Sequence, residues 1–189
     1  MGYRRSFAGH DSSVDSIYAK IQQTVLALPG HAQYFADKIE VEQKSVERFP
    51  TITGPRCTYD SNRNLYFEVL SHLPSPETIR VLGHFLCDDK DTPVPLMSPG
   101  SDWGGENPRA NSFFAADTIM RMNLKSPPIS AGGGPDARLE RVRVWWEEIQ
   151  AGKRVLSFDG QDTGYRFTPD GSWQIVGDIK NDGPDSLNE

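Results

Sequence analysis

Apolar residues recur every three or four positions through most of the first 150 residues and every second position after that. The first period is that of a helix buried on one side, the second that of a strand. A first helix is predicted over 14–28, where Val14, Ile17, Ile21, Val25 and Leu28 form one stripe with Tyr18 beside it. Asp11, Ser12 and Ser13 offer side-chain caps before it, and Pro29-Gly30 ends it. A second helix over 32–48 carries Ala32, Phe35, Ile39, Val46 and Phe49, with a polar gap at Glu42-Gln43 and a stop at Pro50. Residues 51–60 read as loop. Asn62 is placed to cap a third helix over 63–72, with Tyr66, Val69, Leu70 and Leu73 on one face.

The sharpest boundary is Ser75-Pro76-Glu77. Serine accepts from a free backbone N–H, proline at the first helical position loses no hydrogen bond, and glutamate meets the helix dipole favourably. The helix it opens, over 76–88, carries Ile79, Leu82, Phe85 and Leu86. A connection rich in proline and glycine spans 90–106. Asn107-Pro108 repeats the cap-and-proline signal before a helix over 108–123, which is apolar on more than one side through Phe113, Phe114, Ala115, Ala116, Ile119, Met120 and Met122. Such a helix belongs at the centre of the fold. Gly132-Gly133-Gly134-Pro135 reads as a hinge. Asp136 is placed to cap a last helix over 137–150, whose face is Leu139, Val142, Trp145, Trp146 and Ile149, with Gly152 closing it.

Segments 154–158, 165–168 and 173–176 alternate, as in Leu156/Phe158, Tyr165/Phe167 and Trp173/Ile175. Pro169-Asp170-Gly171 is a turn by mechanism, since proline presets φ and glycine tolerates a positive one. A small antiparallel meander is marginal alone, so it must pack on the helices, with Trp145 or Trp146 beneath it. The expected fold is mostly α (α+β): a helical domain over 1–150, a β annex over 151–180 and a tail over 181–189.

With 189 residues, there is room for one domain and a small annex. The formal net charge of −6 repels phosphate backbones and argues against nucleic acid as a partner. Arg138, Arg141 and Arg143 make the nearest basic stripe, but they alternate with Glu140 and Glu147 as a solvated helix face would. No apolar run is long enough for a membrane span. The opening residues are charged without an apolar stretch after them, unlike a signal peptide, although a mature chain following a removed signal would look the same.

Chemistry is sparse. No two of His10, His31, His72 and His84 stand three or four apart, so no helix presents a ready metal pair, while His72 and His84 can meet across neighbouring helices. Asp88-Asp89-Lys90-Asp91 lacks the glycine and closing glutamate of a calcium loop. Gly100-Ser101-Asp102-Trp103-Gly104 does not centre its serine as a nucleophile elbow does, and the glycine run lacks the lysine of a phosphate loop. The pattern thus singles out no catalytic residue, metal ligand or cofactor site. If helices 63–72 and 76–88 form an antiparallel hairpin, Cys57 and Cys87 come near each other. A disulfide there would contribute about 3–4 kcal/mol and mark an exported, periplasmic chain; two free thiols fit a cytoplasmic one equally.

From about Ser75 to Leu124 the chain resembles one HEAT-type repeat of the armadillo kind, as found in bacterial helical proteins. A short apolar helix with Leu82, Phe85 and Leu86 precedes acidic Asp88-Asp89, and Pro108-Arg109 lead into Ala115-Ala116, Ile119 and Met122. Unlike the family, the turn between them is expanded to 90–107. The resemblance implies stacked antiparallel helix pairs presenting a binding face, and it carries no catalytic residues.

These features point to a non-catalytic protein-interaction or structural module whose partner is another protein. The expanded connection carries Leu96, Met97 and Trp103, an apolar load suited to anchoring a partner; alternatively Trp103 folds back to fill a gap between helices. Two other readings stand beside this one. One is a small hydrolase using His84 or His72 with carboxylates in a cleft. The other is an acidic inhibitor of the immunity type. Oligomeric state is not legible.

Overall fold

The computed structural model describes residues 12–48, 57–89, 110–128 and 134–177, and within these the side chains of 16–43, 62–89, 110–128 and 134–177. Among the described residues, six helices precede three strands: α1 (Ser12–Leu26), α2 (His31–Arg48), α3 (Cys57–Ser71), α4 (Pro76–Phe85), α5 (Asn111–Arg121), α6 (Pro135–Gln150), β1 (Leu156–Ser157), β2 (Gly164–Phe167) and β3 (Trp173–Val176). The protein is therefore mostly α with a small antiparallel sheet at its C-terminal side.

α5 is the hub, as its many-sided apolar pattern requires. It packs on α3, α4 and α6, while α2 packs on α3 and α4. Phe67 stacks on Phe114 at 5.6 Å between ring centres and meets Phe85 edge-on at 5.6 Å. Around this aromatic centre Ile39, Leu70, Ile79, Leu82, Ile119 and Val142 are fully buried. Burying each such side chain favours the folded state by about 1.5–3 kcal/mol before entropy is counted.

α4 begins as its sequence dictates. The Ser75 side chain accepts from the Thr78 backbone N–H, Pro76 follows, and Glu77 lies in the first turn. It ends sooner than expected, at Phe85: the Leu86 N–H still reaches the Leu82 carbonyl, but Cys87 and Asp88 make turn-type bonds to His84 and Phe85. α3 starts at Cys57 rather than at 63, so Asn62 sits inside the helix and is no cap. The extra turns are polar and gave no periodic signal. On α3 and just after it, Arg63, Phe67, Leu70 and Leu73 are buried, while Tyr66 and Val69 are only half-buried.

α5 also departs from its expected start. Ala110 holds the N-cap position and makes no side-chain cap. Instead the backbone N–H of Ser112 donates to the Asp88 carbonyl at 3.1 Å, so the end of α4 satisfies part of the first turn of α5. α6 starts at Pro135 with Gly134 before it, which puts Asp136 in the first turn rather than at the cap. Its buried face is the expected one, and Gly152, at φ +68°, closes it.

The strands form a meander in the order β1-β2-β3, with Leu156 opposite Tyr165 and Phe167 opposite Trp173. Gly171 turns the second hairpin at φ +80°, the conformation expected there. Trp146 on α6 meets Phe167 at 5.8 Å, and Phe167 meets Trp173 at 4.9 Å, both edge-on. A bridge between Leu124 and Phe158 ties the sheet to the segment after α5.

Arg138 and Arg143 are not a solvated face. Arg138 pairs with Asp117 on α5 at 2.8 Å, and Arg143 donates to the Leu86 carbonyl at 3.0 Å and pairs with Asp89. The bare 3.6-residue pattern cannot show which exposed arginines face a neighbouring helix end.

Candidate functional site

α1 is amphipathic, yet its apolar stripe faces solvent. Ile17 is 57% exposed, Tyr18 67%, Ile21 54% and Leu28, just beyond the helix, 56%. The helix touches the rest of the fold with its flank: Val25 and Leu26 are half-buried, and Gln22 donates to the His72 carbonyl at 2.6 Å. The stripe was expected to be core. Large apolar side chains left outward at helical spacing make an exposed apolar face of the kind that marks interaction sites. Leu96, Met97 and Trp103, the anchors expected from sequence, lie outside the described residues.

Where α2, α3, α4 and α5 converge, the core contains a polar cluster. Asn111, fully buried, accepts from Arg63 Nη1 at 3.3 Å. Its amide nitrogen donates to Gln43 Oε1 and to Asp88 Oδ2, the latter at 2.9 Å. The Arg63 guanidinium, itself buried, lies over the Phe114 ring at 4.8 Å. This explains the polar gap in the α2 stripe, because Gln43 is buried against a polar partner. The Asp88 carboxylate joins this cluster by accepting from Asn111. Among the described residues, no three His, Cys, Asp or Glu side chains stand together as a metal-holding group.

His72 and His84 do not meet. His84 lines a groove of about 270 Å³ between α2 and α4, with Gln33 and Glu40 on one wall, Arg80 on its own side and Ala36, Val81 and Phe85 also lining it. His72 lines another, of about 230 Å³, with Gln22, Glu68, Ser71 and Arg121. There Glu68 pairs with Arg121 at 2.8 Å and stands 3.5 Å from His72. Both grooves are mostly polar, and apart from the half-buried Glu40 their charged residues are exposed. In the β turn, Thr168 and Ser172 hydroxyls donate to Asp170 and hold its carboxyl below the usual carboxylate range.

Sequence reasoning passed over His31. It is buried at the first turn of α2, with one ring nitrogen 3.0 Å from the Leu28 carbonyl and the other 3.0 Å from Ser75 Oγ. The sign in the sequence was faint: a histidine following Pro-Gly at a helix start. Cys87 is exposed and its thiol is free; the side chain of Cys57, the other half of the bridge weighed against two free thiols, falls outside the described residues. No helix among the described residues is long and apolar enough to cross a membrane. No family model, curated protein or solved structure matches the chain.

Proposed function

We propose that the protein is a protein-interaction module, built on HEAT-like helix pairs, that inserts the outer face of α1 into an apolar groove of a partner protein. The observation that carries this reading is the exposure of Ile17, Tyr18 and Ile21 on an otherwise ordered helix. Their spacing is that of helix-in-groove recognition, in which anchors recur at three- and four-residue intervals. The helix flanks support a protein rather than a lipid partner. From Ser12 to Leu26 the only charged residues are Asp15 and Lys20, whereas a helix lying on an anionic membrane needs a basic polar face.

A photo-crosslinking residue at Tyr18, introduced in cells of the native source, tests this reading. A discrete crosslinked partner protein is expected, lost on Ile17→Asp with Ile21→Asp. Crosslinks no more specific than those from a control position at Lys153 would refute it.

A further inference from the structure

Going beyond this binding role, we propose that the outer edge of β3 pairs with β3 of a second copy of the chain, about a two-fold axis through Gln174, so that two three-stranded sheets become one. The fold treats the two edges of its sheet differently. Beside β1 the segment after α5 closes the edge. Leu124 bridges Phe158, the Lys125 N–H donates to the Ser157 carbonyl at 3.1 Å, and the Asp159 N–H donates to the Asn123 carbonyl at 2.9 Å. Beside β3, no strand is paired among the described residues.

The alternation of the ladder shows which backbone groups this edge presents. β2 and β3 set Tyr165 opposite Ile175, Arg166 opposite Gln174 and Phe167 opposite Trp173. One step further on, the Thr168 N–H donates to the Ser172 carbonyl at 3.0 Å. In an antiparallel pair, residues that exchange hydrogen bonds with the neighbour alternate with residues that do not. Counting by twos from Ser172, Gln174 and Val176 bond to β2, while Trp173 and Ile175 turn their N–H and C=O groups outward. Such an edge is ordinarily guarded by lysine, proline or a bulge. Residues 173–176 carry no charge and no proline, and they pair with β2 without a bulge. Ile175 is 69% exposed.

A second copy fits because the open groups complement themselves. A two-fold axis at Gln174 sets Trp173 opposite Ile175 of the partner subunit, and Ile175 opposite Trp173 of the partner subunit. Both are residues with outward backbone groups, so each pair exchanges two hydrogen bonds. An aromatic side chain then lies across from a β-branched one, a stabilising cross-strand pair that covers Ile175. The chain carries a net charge of −6, yet the strand is uncharged, so no like charges meet within it. The helices also have room. α6 lies against β2, where Trp146 meets Phe167. The two copies of β2 stand three strand spacings apart, about 14 Å. Two helices of about 10–12 Å diameter fit side by side over that distance. The joined sheet also has a strand count nearer the usual one than a three-stranded sheet has.

Sedimentation velocity of the full chain across a dilution series tests this. The sedimentation coefficient is expected to rise with concentration from that of one chain towards that of two. Ile175→Pro removes an outward N–H and leaves the β2 ladder whole, so it is expected to stay monomeric throughout. The α1 variant, Ile17→Asp with Ile21→Asp, is expected to dimerise as the wild type does, which separates this edge from the proposed binding face. A second measurement does not depend on how Ile175→Pro folds. The axis brings the two copies of residue 174 to about 4.5 Å between Cα atoms, within the range a disulfide spans. Oxidised Gln174→Cys is therefore expected to link position 174 of one copy to position 174 of the other, as mapped by mass spectrometry. A wild type monomeric at every concentration, which would leave the edge to a strand of another protein, overturns the proposal. So does a dimer that survives Ile175→Pro, one that is lost in the α1 variant, or a missing link at position 174.

Discussion

Asn111 shows how a single polar side chain can organise a core. Its carboxamide contacts residues from three other segments, Gln43, Arg63 and Asp88. Buried polar groups cost little while paired and much when a partner is removed. Asn111→Ala takes one partner from each of the three, and the expected loss is about 2–3 kcal/mol. Urea unfolding should show a lower midpoint with an unchanged slope; a midpoint within error of the wild type would rule out a structural role for the cluster. None of this was legible residue by residue. Gln43 reads as a break in a stripe, Arg63 as the surface start of a helix, and Asn111 as an ordinary polar residue. Their pairing exists only because α2 and α3 meet the end of α4 and the start of α5.

The helices were legible to different degrees, and the reason is local chemistry. The start of α4 was readable because Ser75, Pro76 and Glu77 act within one turn and need no tertiary partner. The starts of α3 and α5 were not, because α3 opens with polar residues and α5 borrows the Asp88 carbonyl for a cap. α4 and α6 also show packing overriding propensity. Gly83, inside α4, lies flush against the Trp146 ring, and a Cβ there would overlap it. Helix propensity alone predicts that Gly83→Ala stabilises by about 0.5–1 kcal/mol. Overlap predicts the opposite sign, since overpacking costs about 1–3 kcal/mol. A fall in melting temperature is expected, and a rise would show that Trp146 can move aside.

Across the molecule, stability should follow burial. α5 lies between three helices, while α1 rests on its flank and leaves its apolar side outward. Local opening is cheapest where few apolar contacts are lost. Amide hydrogen exchange should therefore be slowest in α5 and the buried face of α6, and faster in α1 by several orders of magnitude. Equal protection in α1 and α5 would mean that the outer face of α1 is covered in solution, for instance by self-association. Binding of the proposed partner should in turn slow exchange in α1.

The sequence by itself determined the helical class, the C-terminal meander, the Ser75 start of α4, the glycine turns at Gly152 and Gly171, and most of the faces that pack. Periodicity and capping depend on neighbours along the chain, so they are written locally. Only the tertiary structure decided which apolar stripe would stay outside, which polar residues would meet inside, and that His31 would stand against Ser75. Ile17, Ile21 and Leu28 follow the same spacing rule as the stripe of α6, yet they are exposed and the α6 face is core. Burial requires a surface to pack against, and that surface is set by how distant segments share space.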